Sequence, residues 1–261
     1  MKIIVCVKQV PDTAEVKIDP KTNTLIRQGV PSIINPFDKN ALEAALQLRD
    51  KYGGTVTVIT MGPPQAKEAL QECLAIGADE AFLVSDRAFG GADTLATSYT
   101  LAQSIRKLGS YDLIICGMQA IDGDTAQVGP EIAEHLGIAQ ITYVANINRD
   151  GNILRFHREQ DHFYEVLEAQ LPLLITVVKS INEPRLPNCR GIIQSLRKEI
   201  KVLGLKDIGI DQEKIGLKGS PTQVRRIFSP PQRKQCLKIQ KPTSQEGVAE
   251  LFQMLSEDKI I

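Results

Sequence analysis

Leu113-Ile114-Ile115-Cys116-Gly117-Met118-Gln119-Ala120-Ile121-Asp122-Gly123-Asp124-Thr125-Ala126-Gln127-Val128 decides the fold. Its first four residues are apolar without a polar break, the pattern of a strand covered on both faces. Gly117 and Gly123 let the backbone turn tightly and approach a ligand. Asp124 or Thr125 offers an N-cap for a helix predicted over Thr125–Leu136, and Gly137 suits the left-handed position that closes it. Strand, loop and helix in this order form half of a βαβ crossover.

The same unit recurs toward the N-terminus. Strands are predicted at Ile3–Val7, Thr55–Thr60 and Ala81–Val84, and helices at Lys39–Lys51, Pro64–Ile76 and Asp93–Leu108. In the first helix Ala41, Leu42, Ala45, Leu46 and Leu48 form a buried stripe, with Glu43, Gln47 and Arg49 on the outside. The alternation predicts right-handed crossovers and a parallel sheet. Glu15–Gln28 interrupts it with a hairpin, Val16 and Ile18 facing Leu25 and Ile26. Beyond Gly137 the pattern changes. Ile141–Ile147, Ile153–His157 and Phe163–Glu168 read as antiparallel strands, and Leu173–Val178 as another buried one. The fold class is therefore α/β: a doubly wound, mostly parallel, Rossmann-like sheet with added antiparallel strands and an extended C-terminal arm.

From Asn182 the chain turns rich in proline and charge, with Pro184, Pro187, Pro221, Pro230, Pro231 and Pro242 breaking any long element. Residues 1–187 read as the nucleotide-binding domain and 188–261 as a recognition loop and arm. Leu203, Ile208, Ile215, Phe228 and Leu251 are scattered apolar anchors, and an amphipathic helix is predicted near Gln245–Leu255. Such a tail either wraps a partner or folds back on its own domain.

Composition narrows the function classes. The chain has 261 residues, 43% hydrophobic and 24% charged, enough to bury a core without disulfide or metal staples. Its 31 basic and 31 acidic residues cancel, unlike the strongly basic balance of a nucleic-acid coat. No apolar window is long enough to span a bilayer. The first residues read as a strand and not as a signal peptide, so a cytoplasmic location is expected. Cys6, Cys73, Cys116, Cys189 and Cys236 include no CxxC pair and suit reduced, mostly buried thiols.

In an open parallel sheet the ligand lies beyond the carboxyl ends of the strands. The segments to inspect are Lys8–Asp12, Met61–Pro64, Ser85–Thr97 and Gly117–Val128. In the last, helix amides and the Thr125 and Gln127 side chains suit a phosphate or pyrophosphate. In Ser85–Thr97, Asp93 reads as an N-cap, and Thr94 and Thr97 put two hydroxyls on one face of the first helical turn. There is no GxGxxG, no P-loop and no GxSxG elbow. No nucleophile sits with a base, and His135, His157 and His162 lack metal-ligand spacing. No catalytic residue and no metal site are expected, so redox work must come from a bound cofactor.

At these loops the sequence resembles the β subunit of electron-transfer flavoproteins. The resemblance rests on Val7-Lys8-Gln9-Val10-Pro11-Asp12, Asn35-Pro36-Phe37-Asp38, Met61-Gly62-Pro63, Ala75-Ile76-Gly77-Ala78-Asp79 and Gly117–Val128. Leu171-Pro172-Leu173-Leu174 and Asn182-Glu183-Pro184-Arg185 add to it. It implies a heterodimer with an α subunit that the C-terminal arm embraces. It also implies that Cys6, Asn35, Phe37, Met61, Asp93, Thr94, Thr97, Gly117, Gln119, Ala120, Ile121, Asp122, Gly123, Asp124, Thr125, Gln127 and Val128 hold AMP or FAD. The AMP-holding branch has bulkier, more acidic residues in place of Gly123-Asp124-Thr125-Ala126 and lacks Asp93-Thr94-x-x-Thr97. The resemblance thus points to the electron-bifurcating branch, in which the β-subunit FAD takes hydride from NADH. Electrons then divide between the α-subunit flavin with an acyl-CoA dehydrogenase type partner and ferredoxin or flavodoxin. Asp122 or Asp124 would oppose negative charge on the reduced ring. Leu186 or Cys189 stands where the family carries an apolar anchor for the dehydrogenase. A nucleotide-binding module of the same fold without redox role is the alternative of another class.

Overall fold

The structure is a computed structural model that describes residues 1–12, 31–150, 153–224 and 237–261. The hairpin expected at Glu15–Gln28, together with Phe228 and Cys236, lies outside the described residues. The strands are β1 (Lys2–Cys6), β2 (Gln9–Pro11), β3 (Ser32–Ile34), β4 (Thr55–Met61), β5 (Glu80–Val84), β6 (Leu113–Gly117), β7 (Ala139–Asp150), β8 (Ile153–Glu159), β9 (Tyr164–Ala169), β10 (Leu173–Val177) and β11 (Ile200–Leu203). The helices are α1 (Pro36–Tyr52), α2 (Lys67–Ile76), α3 (Thr94–Leu108), α4 (Val128–Leu136), α5 (Cys189–Ser195), α6 (Leu205–Ile208) and α7 (Ser244–Glu257).

Nine strands form one sheet in the order β11-β5-β4-β1-β6-β10-β7-β8-β9, and β2 and β3 form a small antiparallel pair. From β11 to β7 every pairing is parallel; β8 and β9 add an antiparallel hairpin at the far edge. The two-residue period of the strands feeds two cores. Ile3, Val5, Val56, Val58, Leu113 and Ile115 face α1 and α2, against Ala41, Leu42, Ala45, Leu46, Leu70 and Cys73. Ile4, Cys6, Ile59, Ile114 and Cys116 face the other way, toward Leu101 and Ile105 of α3 and Ile132 and Ala133 of α4. This double covering is why the strands read as unbroken apolar runs.

β7 departs from its expected antiparallel role. Leu173 to Val177 of β10 pair in parallel with Ala139 to Val144, and only the far half of β7 turns antiparallel, onto β8. β10 lies between β6 and β7, so β7 is half buried-sheet strand and half hairpin arm. Glu43 also departs from expectation. It is buried on α1 at 4% exposure, because Arg185 reaches back over it.

The compact unit that contains the sheet continues past residue 187 through the described residues to 224. α5 packs on α2 so closely that a Cβ at Gly191 would lie 2.3 Å from the Ala75 carbonyl oxygen. β11 extends the sheet along β5, and Leu203, Ile208 and Ile215 pack with the α3-side core. This part of the tail folds back on its own domain. A second unit includes the described residues 237–261. Its described part holds α7, with Thr243 accepting the Glu246 amide as N-cap at 3.3 Å. Val248, Leu251 and Phe252 are exposed on one face of that helix. Among the described residues no helix is long and apolar enough to cross a membrane.

Candidate functional site

Strand order reverses at β1, which has β4 on one side and β6 on the other. The loops leaving those carboxyl ends diverge there and leave a crevice. A cavity of about 1100 Å³ opens at this point, lined from all four segments singled out in the sequence. Cys6, Met61, Asp93, Thr94, Thr97, Gly117, Gln119, Ala120, Asp122, Gly123, Thr125, Gln127 and Val128 line it. Asn35, Phe37, Ile121 and Asp124 are outside the lining. Asn35 is fully buried and acts from below. Its Nδ2 donates to the Gln119 carbonyl at 2.8 Å, and its Oδ1 accepts the Ile121 amide at 3.1 Å. The Phe37 ring has the Lys179 ammonium 4.8 Å from its centroid.

The loop after β6 is built differently from expectation. The helix begins at Val128, not Thr125, and its cap residue Gln127 makes no side-chain capping bond. Asp124 and Ala126 hold φ of 56° and 53°, a left-handed backbone that keeps helix from starting earlier. The Asp124 carboxylate is taken by the Gln119 side-chain amide, so it neither caps the helix nor faces the cavity. Gly123 has nothing within 4 Å of where a Cβ would stand; its value is open space. Gly117 is the tight one. A Cβ there would meet Asp38 Oδ1 at 2.3 Å and Phe37 at 2.7 Å. That close approach is to the protein's own floor.

Six charged residues line the cavity: Lys8, Arg87 and the carboxylates of Asp38, Asp86, Asp93 and Asp122. Each acid is engaged by the chain itself. Asp122 Oδ1 pairs with the Lys8 ammonium at 2.6 Å. Asp86 accepts the Ala88 and Leu205 amides at 3.0 and 3.2 Å, which hold its carboxyl below the ordinary value. Asp93 is the N-cap of α3, taking the Ala96 amide at 3.0 Å. Its other oxygen takes the Thr222 amide and hydroxyl at 3.0 and 2.6 Å. Partial burial works to raise the Asp93 carboxyl, but the bonds from Thr222 and Ala96 outweigh it and hold it low. Asp93 is therefore a structural anchor, and its neighbours Thr94 and Thr97 present the hydroxyls. Thr94 already donates to Glu131 at 3.1 Å. Among the described residues Arg87 makes no ion pair. Of the six charged lining residues, Lys8, Asp38, Asp86 and Arg87 are not among the ligand-holding residues named from the sequence, although Lys8, Asp86 and Arg87 lie in the segments singled out there. No group of three or more His, Cys, Asp or Glu side chains is placed to hold a metal among the described residues.

The loop carrying Leu186 and Cys189 is fastened to α1. Asn40 Nδ2 donates to the Asn182 carbonyl at 2.8 Å, and Asn182 Nδ2 returns a bond to the Asn40 carbonyl at 3.0 Å. Arg185 grips Glu43 through Nε at 2.7 Å and Nη2 at 3.1 Å, and reaches Asp50 at 2.8 Å. Partial burial works to raise the Asp50 carboxyl, but Arg185 and Arg49 hold it below the usual range. Beyond this grip Leu186 stands 87% exposed, and Cys189 opens α5, also exposed.

Comparison with known proteins agrees with this architecture. The electron transfer flavoprotein domain family matches residues 22–208. The chain is 56% identical to the electron transfer flavoprotein subunit beta of Clostridium acetobutylicum over 261 residues, all of both chains. It is 54% identical over 262 residues, again all of both chains, to the caffeyl-CoA reductase-Etf complex subunit CarD of Acetobacterium woodii. It is 49% identical to protein FixA of Azorhizobium caulinodans over 241 residues, 89% of this chain and 86% of the other. The chain belongs to the electron transfer flavoprotein family, among its β subunits.

Glu43→Ala would strip Arg185 of its buried partner. Arg185 keeps Asp50, so the cost is that of the lost charge-assisted hydrogen bonds, about 1.5–3 kcal/mol. The expected result is a lower urea midpoint and faster proteolysis within residues 182–190, with α1 itself intact by circular dichroism.

Proposed function

We propose that this chain is the β subunit of an electron-bifurcating flavoprotein and that its cavity holds FAD. The observation that carries the reading is the cavity. Its volume of about 1100 Å³ lies just above the range of small-molecule sites, roughly 300–1,000 Å³, and is generous for a mononucleotide. Its wall fits a dinucleotide. Gly123 leaves open space, Thr97 and Thr125 offer hydroxyls, and Arg87 brings a positive charge without a carboxylate partner among the described residues. That cation suits a diphosphate. Lys8 and Asp122 neutralise each other at the cavity wall, which spares the flavin ring the full charge of Asp122.

FAD held by Arg87, Thr97 and Thr125 would supply the redox chemistry, taking two electrons as hydride from NADH and passing them singly, one toward the α-subunit flavin and an acyl-CoA dehydrogenase type partner and one toward ferredoxin or flavodoxin. The protein's own part is to bind and orient. Asn35 fixes the loop that carries Gln119 and Ile121, and Arg87 and the threonines hold the anionic middle of the ligand. Two features support the partner assignments. The exposed face of Val248, Leu251 and Phe252 on α7 is what an arm covering an α subunit would need. Leu186, projecting from a loop pinned by Arg185 and Asn182, suits an apolar anchor for the dehydrogenase; the name of the related CarD, from a caffeyl-CoA reductase-Etf complex, points the same way.

Cofactor inventory of the purified heterodimer tests the reading. Two FAD per pair is the expected result, and one FAD with one AMP contradicts it. Arg87→Ala should weaken FAD retention by about tenfold, the scale of one lost charge-assisted contact, while leaving the melting temperature of the nucleotide-free protein within a few degrees. An unchanged FAD affinity would remove Arg87 from the site.

A further inference from the structure

The cavity's lining includes one acid that is also almost wholly buried, Asp38, at 7% exposure. It lies in the first turn of α1, beneath the gap between β1 and β6. Asp38 Oδ2 accepts the Lys8 amide at 2.8 Å, and Oδ1 accepts the Gly117 amide at 3.2 Å. These two amides belong to the roots of two cavity walls. Lys8 begins the segment after β1, and Gly117 begins the loop 117–127. β1 and β6 are paired in register up to Cys6 and Cys116, but past that point no strand bond joins the two chains. The Asp38 carboxylate takes over there. Gly117 is shaped to this contact, since a Cβ would collide with Oδ1.

We propose that Asp38 is the positioning residue of the nucleotide cavity: its carboxylate ties the amides of Lys8 and Gly117 and so sets the spacing of the two walls between which the ligand lies. The inference rests on the reading of this cavity as a nucleotide site, though not on whether that nucleotide is FAD or AMP. Its physical basis is the acceptor count. A carboxylate offers both oxygens to donors, whereas the acid form must find an acceptor for its own proton and binds amides less strongly. Two donating amides leave no acceptor for that proton along either bond.

The surroundings make the balance sensitive to pH. Burial raises the Asp38 carboxyl to about 7, against the bonds from Asn35, Lys8 and Gly117 and the charge of Lys8. Lys8 is the charged side chain that faces it, and its ammonium is shared with Asp122. The other titratable neighbours are thiols, Cys116 on β6 and Cys73 on α2. Cys116 is pushed up by its bond with Cys6 and by burial, and Cys73 by burial, so both stay neutral. The sign follows. Above pH 7 the tie is ionised and both amides are held; below it the acid form loosens one or both. The folded chain also keeps a proton between pH 3.8 and about 7 that the unfolded chain releases. This group's contribution to stability therefore falls as the pH rises through that window, so wall spacing is maintained at some expense of global stability.

The test uses the heterodimer depleted of nucleotide, with FAD and AMP added separately at pH 6 and pH 8. Wild type should bind the accepted nucleotide about tenfold more tightly at pH 8 than at pH 6. Asp38→Asn should bind it weakly at both, with a ratio near one. The same loss of pH dependence seen with AMP in place of FAD would support Asp38 while overturning the FAD reading. Binding by Asp38→Asn that keeps the wild-type pH ratio would overturn the proposal alone. Failure of wild type to bind either nucleotide would overturn the site itself and the proposal with it. Should Asp38→Asn fail to fold, amide exchange in the wild type decides. Protection at Lys8 and Gly117, relative to Val5 and Ile115, should fall between pH 8 and pH 6, and constant relative protection would refute the tie.

Discussion

Around the ends of β1 and β6 the amides of Val7 and Met118 still find strand carbonyls, at Ile59 and Val177, whereas those of Lys8 and Gly117 turn to a side chain. In this protein the Asp38 carboxylate receives both, and much of the site follows from it. α1 must approach the sheet closely enough for its first turn to reach Lys8 and Gly117. The small residues Ala41, Ala44 and Ala45, all buried, allow that approach. Residue 117 must lack a side chain, because the carboxylate occupies its place. The loop beyond is then steadied a second time by Asn35, one residue before α1, through Gln119 and Ile121. One helix start thus holds up two walls of the cavity.

The same helix carries contacts of another kind further along. Asn40, Glu43 and Asp50 bind Asn182 and Arg185, which fixes the loop from which Leu186 projects. The cavity floor and the loop carrying Leu186 are therefore mounted on one element, a single helix of 17 residues.

Most of the sheet was legible because its physics is local. Unbroken apolar runs such as Leu113–Cys116 mark strands covered on both faces, and the four segments following the strands all contribute to the cavity wall. What the sequence hid depends on contacts distant along the chain. Glu43 sits at a position of α1 that reads as solvent-facing, and Arg185, 142 residues away, together with Gln47 one turn on, makes its burial tolerable. β7 changes partners halfway because β10 inserts beside β6, which no periodicity announces. Asp124 and Thr125 look like caps, but the left-handed backbone at 124 and 126 delays the helix to Val128. Asp38 stands just before the helix predicted over Lys39–Lys51, and the structure puts it in the first turn of α1, where an acid favours the helix dipole. Its second role appears only once Lys8 and Gly117 are brought over it. β11 was missed because Ile200–Leu203 is short and half-exposed, as edge strands often are.

The most direct test of the account is a crystal structure of the heterodimer with its native cofactors. The account predicts electron density for a complete FAD in the crevice beyond β1 and β6, its diphosphate near Arg87 and Thr125, and the Asp38 oxygens still bonded to the amides of Lys8 and Gly117. Density for an adenylate alone, or a flavin seated elsewhere on this chain, would contradict it.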